Sequence, residues 1–225
     1  MKDESGFSFW ARWVLANSAA ETVGLGGAFL AGYAIVSLVG AREGSVSALL
    51  LGGLAIALGM LEGAIVGAAQ GLVLRRRLPG LSVRKWVLGT AAGALVAWTL
   101  GMLPSTIMSF GPQQAGPAAA DIPDLFVYAA AAGLGAVAGT ILASAQWLVL
   151  RRHVSKAWRW LPANAAAWMV GMPMTFIAAD RIQPQTLPVV IGFSILVAVA
   201  LAGAVVGAIH GFILTRWLLP RRPPI

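Results

Sequence analysis

Residues 63–76 read Gly-Ala-Ile-Val-Gly-Ala-Ala-Gln-Gly-Leu-Val-Leu-Arg-Arg. This stretch joins an apolar run to a basic end, and small residues recur at every fourth position, at Gly63, Gly67 and Gly71. Apolar helices that end in arginine are typical of membrane spans whose basic end faces the cytoplasm. The stretch therefore predicts a membrane helix that packs closely against a neighbouring helix.

The composition of the whole chain agrees with a membrane-spanning fold. Of 225 residues, 59% are hydrophobic and 11% are charged, whereas a soluble domain carries about 25% charged residues. Because one span needs about 20 apolar residues, the chain has room for six spans and little else. The expected spans are 12–39, 46–74, 86–110, 125–150, 160–179 and 187–215. We expect an all-α integral membrane protein with a single transmembrane domain over 1–225.

The quoted pattern occurs three times along the chain. It recurs at 139–152 and, with His for Gln and Thr for Arg, at 203–216. A second pattern begins at Trp13, Trp86 and Trp160, which are spaced by 73 and 74 residues. Alternation of the two patterns predicts three tandem two-helix repeats around a pseudo-threefold axis along the membrane normal. The repeats cover about 12–77, 84–153 and 158–217.

Small residues four apart occur in every expected span. Examples beyond the opening stretch are Ala20, Gly24, Gly89, Gly93, Gly135, Gly139, Ala163, Ala167, Gly203 and Gly207. Such GxxxG-like faces let two helix backbones approach closely, with crossing angles of about −40°. We expect these faces to form the interfaces between helices.

Basic residues gather at one end of the expected helices. That end holds Lys2, Arg12, Arg75, Arg76, Arg77, Arg84, Lys85, Arg151, Arg152, Lys156, Arg159, Arg216, Arg221 and Arg222. Only Arg42 and Arg181 fall in the opposite loops, which also contain Asp121, Asp124 and Asp180. By the positive-inside rule, both termini and the basic loops face the cytoplasm.

The net charge of +8 follows from this topology and does not indicate nucleic acid as a partner. Basic side chains just beyond a helix end attract anionic lipid headgroups, each by about 1 kcal/mol. We expect these contacts from Arg75, Arg76, Arg77, Arg84, Lys85, Arg151 and Arg152. Membrane lipids are therefore the expected partners, and another membrane protein subunit is a further candidate.

Polar residues repeat at one depth near the basic end. They are Gln70, Gln146 and His210 on the even helices and Asn17, Thr90 and Asn164 on the odd helices. We expect them to form a ring, either as hydrogen-bonded links between helices or as a polar vestibule toward a substrate. Tryptophans at the same end predict anchors at the membrane interface. They are Trp10, Trp13, Trp86, Trp147, Trp158, Trp160 and Trp217.

Two acidic residues break the repeat. Glu21 and Glu62 lie inside the expected spans, and the matching positions are Ala94 and Trp168 for the first and Ala138 and Ala202 for the second. Burial of an ionisable residue at this depth in the membrane costs free energy, so such a residue is first considered as a functional candidate. The candidate intramembrane functional residues are Glu21, Glu62, His210 and Asn17.

If the three repeats close a ring, Glu21 faces the neighbourhood of His210. The pair could hold or relay a proton, it could form a static hydrogen bond, or Glu21 could be protonated and bonded to a backbone carbonyl. Toward the opposite end, Pro104 and Pro173 predict a kink or an early helix end.

The run Gln-Trp-Leu-Val-Leu-Arg-Arg at 146–152, with the tryptophan-rich helix start that follows it, resembles segments of uncharacterised multi-pass bacterial membrane proteins. The resemblance implies a place in the bacterial inner membrane and no particular activity. Motifs for nucleophilic, metal or phosphate chemistry are absent from the sequence, and there is no Cys. We therefore expect no catalytic residues and no metal site, and any cofactor stays unknown.

Two functions fit this sequence. The first is a non-catalytic accessory or scaffold subunit that packs against lipid, pigment or a partner membrane protein. The second is a component of a transporter or channel for a small solute or an ion, including proton-linked transport. Transport predicts a continuous wet cavity that reaches Glu62 or Glu21, whereas a scaffold predicts a dry centre.

Overall fold

A computed structural model describes residues 6–39, 45–108, 123–181, 183 and 185–219. Within these ranges the chain contains six long helices and no β-strand. Most of the expected loops at 41–45 and 111–124 lie outside the described residues, as do Lys2, Arg42, Arg221 and Arg222. The all-α expectation is confirmed for the described part of the chain.

The first helix, α1, has an α-helical part Gly6–Glu21, a π-helical turn Thr22–Gly26 and a second α-helical part Gly27–Val39. The next four helices are α2 (Ser45–Leu74), α3 (Val83–Met108), α4 (Asp124–Leu150) and α5 (Trp160–Asp180). The last, α6, runs over Pro188–Ile213 and ends in a π-helical segment Leu214–Leu218. A short 3₁₀ turn, Ala157–Arg159, precedes α5.

Five of the six helices are long and apolar enough to cross a membrane. The exception is α5, whose Asn164, Pro162 and Pro173 lower its hydropathy. Large apolar side chains cover the outside of the bundle, such as Leu15, Leu50 and Val189. In water this surface would drive aggregation, so it fits a lipid environment.

The six helices close a ring. Each helix packs against the next along the chain, and α6 packs against α1. Tight turns at 75–82 and 151–156 connect α2 to α3 and α4 to α5 at the end of the bundle that we call the basic end. Because consecutive helices run antiparallel, Gly6 and Leu218 also lie at the basic end, and the other end is the far end.

Glycines on the even-numbered helices allow neighbouring helices of the ring to approach closely. A Cβ atom at Gly139 of α4 would lie 2.5 Å from the main-chain oxygen of Asn164 in α5. In the same way, a Cβ at Gly67 of α2 would lie 2.9 Å from Cβ of Thr90 in α3. Only a helix surface without side-chain atoms permits such contact, which explains the small residues at these positions.

The helix pair that closes the ring meets in the same manner. A Cβ at Gly203 of α6 would lie 2.8 Å from Cβ of Glu21 in α1, and one at Gly207 would lie 2.9 Å from Cβ of Asn17. Both polar side chains are thus placed by glycines on the last helix of the chain.

Pro104 and Pro173 do not end their helices. Helix α3 continues past Pro104 to Met108, and α5 continues past Pro173 to Asp180. The expected early helix end is therefore wrong at both positions. Membrane helices tolerate proline because neighbouring helices and local adjustments satisfy the freed backbone groups.

Candidate functional site

Three tryptophans at the starts of α1, α3 and α5 are fully buried at the basic end. The indole nitrogen of each donates a hydrogen bond to a polar side chain on an even helix. Trp86 Nε1 donates to Gln70 Oε1 at 3.3 Å, Trp160 Nε1 to Gln146 Oε1 at 2.8 Å, and Trp13 Nε1 to His210 Nδ1 at 2.8 Å.

The expectation that Trp13, Trp86 and Trp160 act as interface anchors is wrong, because all three are 0% exposed. Hydropathy cannot distinguish an indole at the lipid interface from one inside the bundle. Trp158 and Trp217 are exposed, as expected for anchors.

The predicted polar ring residues lie together in the centre of the bundle. Gln70 Nε2 donates to Asn17 Oδ1 at 2.8 Å, and Gln146 Nε2 donates to Gln70 Oε1 at 2.9 Å and to Thr90 Oγ1 at 3.0 Å. Asn17 and Asn164 donate to the main-chain oxygens of Trp13 and Trp160, one turn earlier. These bonds link α1, α2, α3 and α4 across the axis, and we call this set with His210 the polar ring.

A layer of aromatic rings covers the polar ring on its basic side. The ring centroids of Trp13 and Trp160 are 6.1 Å apart, and those of Trp86 and Trp160 are 6.2 Å apart. Phe9 packs beside Trp13 and is also fully buried. This aromatic layer closes the basic end of the bundle axis.

Glu21 and Glu62 lie on the far side of the polar ring, on the facing helices α1 and α2. Glu62 Oε2 accepts a hydrogen bond of 2.9 Å from Trp98 Nε1. Glu21 is 3% exposed, and its Oε2 atom has no hydrogen-bond partner among the described residues. The π-helical turn of α1 begins directly after Glu21.

The two acids share a small void with the polar ring. This inner void has a volume of about 20 Å³, and its lining includes Glu21, Glu62, Gln70, Asn164 and His210. A cavity of this size holds about one water molecule. Glu21 and His210 therefore face one space, as expected from the ring closure, but His210 accepts its hydrogen bond from Trp13.

A larger cavity lies toward the far end. This outer cavity has a volume of about 300 Å³, is lined by five of the six helices and is mainly apolar. Leu25, Phe29 and Phe176 contribute to its walls, and Glu62 and Trp98 provide polar atoms. Glu62 and Trp168 line both the outer cavity and the inner void.

The outer cavity and the role of Trp98 were not predicted from the sequence. One signal was available: Trp98 lies in the middle of α3, away from the tryptophans at the basic end. Nothing in the pattern indicated that it reaches Glu62, because that contact depends on the rotation of α3 against α2.

The residues expected to contact anionic lipid lie at the basic end. Most of these side chains are exposed, and Arg77 is partly buried. The guanidinium groups of Arg77 and Arg151 lie over the rings of Phe9 and Trp147, at 5.4 and 4.9 Å from the ring centroids.

No cluster of three or more metal-ligating His, Asp or Glu residues occurs in the described part of the chain. No family model matches this sequence, and neither the curated proteins nor the solved structures contain a match.

Proposed function

We propose that this protein is a non-catalytic membrane protein that binds a small lipid-like molecule in its outer cavity. One observation carries the proposal: an apolar cavity of about 300 Å³ whose described lining includes one carboxyl group, that of Glu62. Ligand sites are concave and mainly apolar, with a few polar groups that orient the ligand. A role as an accessory subunit, with lipid, pigment or a partner protein, is compatible with such a site.

The expected ligand has an apolar body and one hydrogen-bond donor. Leu25, Phe29 and Phe176 offer contacts to an alkyl or isoprenoid chain. The Glu62 carboxyl group offers an acceptor for a hydroxyl, amine or ring N–H group. Closure of the basic end by the aromatic layer favours binding over passage of the ligand.

The same proposal includes the arrangement in the membrane. We infer three two-helix repeats around a pseudo-threefold axis, with both termini on the cytoplasmic side of a bacterial inner membrane. The equivalent tryptophan bonds to Gln70, Gln146 and His210 support the repeats. The basic residues at one end support the orientation.

Co-purification tests the binding role. The protein is purified in mild detergent, and bound molecules are identified by native mass spectrometry and by organic extraction. Ala138→Phe fills the outer cavity from α4, and Val137→Phe places the same ring on the outside of that helix, where Val137 is 58% exposed. We expect a bound molecule in the wild type and in Val137→Phe, and at least a tenfold loss in Ala138→Phe.

A second filling variant is included in case Ala138→Phe does not fold. Ala97→Phe fills the cavity from α3, and circular dichroism checks that each variant stays helical. A wild type that holds no molecule after incubation with total lipid extract contradicts the proposal. Equal occupancy in wild type and in a folded filling variant contradicts it as well.

Ion or solute transport is the second candidate function. The observation that favours it is Glu62, which lines both the outer cavity and the inner void and so stands between the far end and the polar ring. Proteoliposomes with an internal pH dye measure the flux under an imposed membrane potential. Flux above that of empty liposomes, lost in Glu62→Gln, would support transport, and its absence would leave the binding role.

A further inference from the structure

The starting observation is the orphaned oxygen of Glu21. The side chain is 3% exposed, and Oε2 lacks a hydrogen-bond partner among the described residues. Burial of a polar atom without a partner costs several kcal/mol in an apolar medium. An ionised oxygen needs a donor or a cation, so an ionised Glu21 calls for a guest beside Oε2.

No neighbouring group among the described residues reaches Glu21 Oε2. The titratable groups that face the inner void are Glu21 from α1, Glu62 from α2 and His210 from α6. His210 Nδ1 accepts from Trp13, and Glu62 Oε2 accepts from Trp98. Helices α3, α4 and α5 contribute no titratable group to the described lining of the void.

If both carboxyl groups are ionised, the void has no counter-charge among the described residues. Two carboxyl groups line it, and its described lining contains neither Lys nor Arg. Unlike charges in a low-dielectric interior attract strongly, and like charges without a counter-ion repel. The feature that would balance this arrangement is a cation.

Size and backbone geometry limit the guest. The inner void of about 20 Å³ has room for one particle of the size of water. Glu21 directly precedes the π-helical turn of α1. Such turns are rare in proteins, and those that occur often lie at functional sites. In membrane transport proteins, coupling ions are held by oxygen atoms at irregular parts of helices near the bilayer midplane.

The shared fold does not require these acids. The matching positions in the other two predicted repeats are Ala94, Trp168, Ala138 and Ala202. These four non-acidic residues fit in the same bundle, so packing alone does not require an acid. We infer that Glu21 and Glu62 have a role that is confined to the first predicted repeat.

We propose that the inner void is a site for one small monovalent cation, held between the carboxylates of Glu21 and Glu62. The cation is an alkali ion, whose size and charge the void admits. This site shares Glu62 with the outer cavity but does not rest on the proposed function, because a protein that binds no lipid-like molecule could still hold the cation.

The test follows the thermal unfolding midpoint of the purified protein by tryptophan fluorescence. The buffer contains N-methylglucamine chloride, whose large cation is replaced by Na⁺, Li⁺ or K⁺ at constant pH and ionic strength. A guest that binds only the folded state raises the midpoint in proportion to the logarithm of its concentration above Kd, by about 5 °C at 100 times its Kd. A second series varies the pH without alkali cations.

The variants are Glu21→Gln and, as the matched control, Asp180→Asn, which changes an exposed acid at the far end. A rise with Na⁺ or Li⁺ in the wild type and in Asp180→Asn, absent in Glu21→Gln, identifies an alkali ion. A midpoint that ignores alkali ions but loses part of its pH dependence only in Glu21→Gln shows that the Glu21 carboxyl group itself is protonated, and it overturns the proposal. No response to alkali ions, together with the same pH dependence in all three proteins, overturns the proposal.

If Glu21→Gln does not fold, the wild type alone decides the question. Binding of radioactive ²²Na⁺ is measured by scintillation proximity, with displacement by unlabelled Na⁺, by protons at low pH and by choline as the oversized control. Displacement by Na⁺ or protons but not by choline supports the site. Absence of saturable binding, together with a midpoint that ignores alkali ions, overturns it.

Discussion

Trp13 illustrates how one side chain joins the two ends of the chain. Its indole N–H donates to Nδ1 of His210, 197 residues later, and both side chains are buried. Removal of one partner from a buried hydrogen bond leaves the other unsatisfied, which costs about 1–3 kcal/mol. Trp13 is thus a structural link at the residue scale, although its position near a helix start looks typical of an interface residue.

Trp13→Phe tests this link. The ring volume is largely kept while the donor to His210 is lost, so we expect the free energy of unfolding to fall by about 1–3 kcal/mol. Equilibrium unfolding in mixed micelles with SDS measures it. Trp217→Phe, at an exposed position of the same end, should change stability by less than about 0.5 kcal/mol. Equal losses in both variants would refute the structural role of Trp13.

His210→Gln tests whether Trp13 needs a histidine at position 210 or only a hydrogen-bond acceptor. Gln70 and Gln146 accept the equivalent indole bonds through their side-chain oxygens. A glutamine at position 210 can therefore accept from Trp13, and we expect unfolding within about 1 kcal/mol of the wild type. The same unfolding assay measures the change. A loss well above that value would mean that His210 makes contacts that an amide cannot replace.

At the scale of the helices, glycine decides how closely neighbours approach. Gly139 faces Asn164 of α5, whereas Gly133 of the same helix has no atom within 4 Å of its ideal Cβ position. Gly139→Ala should destabilise the protein by about 1–3 kcal/mol, because a methyl group forces α4 from α5. Gly133→Ala should be neutral or stabilising by up to about 1 kcal/mol, from helix propensity.

The thermal unfolding midpoint of each glycine variant checks this expectation. The two substitutions are chemically identical and lie six residues apart in α4. Their difference therefore reports the helix contact alone. A midpoint that falls equally in both variants would show that α4 and α5 do not meet at Gly139.

The helices themselves were largely predictable from the sequence. Long apolar runs with basic ends fix the spans, and the starts of α4 and α5 fall within one residue of the expected spans. The π-helical turn at Thr22–Gly26 was not predictable, because it depends on how α1 packs against α2 and α6. The contact between Trp98 and Glu62, and the outer cavity, depend on how each helix is rotated about its own axis. That rotation could not be read from the pattern of a single sequence.

At the scale of the whole molecule, the polar ring and the acids differ in predictability. The ring was expected from repetition in the sequence, since equivalent positions of repeated helices should meet at a common axis. The partners of Glu21 and Glu62 could not follow from repetition, because neither acid is repeated. Only packing shows that Glu62 takes a bond from Trp98 while Glu21 Oε2 lacks one within the described residues.

The orientation of the bundle can be measured with introduced cysteines, because the chain contains none. Arg76→Cys lies at the basic end and Gln183→Cys at the far end, both at exposed positions. By the positive-inside rule, a membrane-impermeant maleimide should label Arg76→Cys only in inside-out vesicles and Gln183→Cys only in right-side-out vesicles. The reverse labelling would overturn the proposed topology.

The contact between α1 and α6 has a consequence for biosynthesis. The first helix enters the membrane while the last is still untranslated, and Asn17 and Glu21 then lack the glycine surface of Gly203 and Gly207. During this interval the nascent chain exposes an amide and a carboxyl group to lipid, or shelters them in the insertion machinery. A bundle with these contacts therefore cannot form until α6, which begins at Pro188, has been translated.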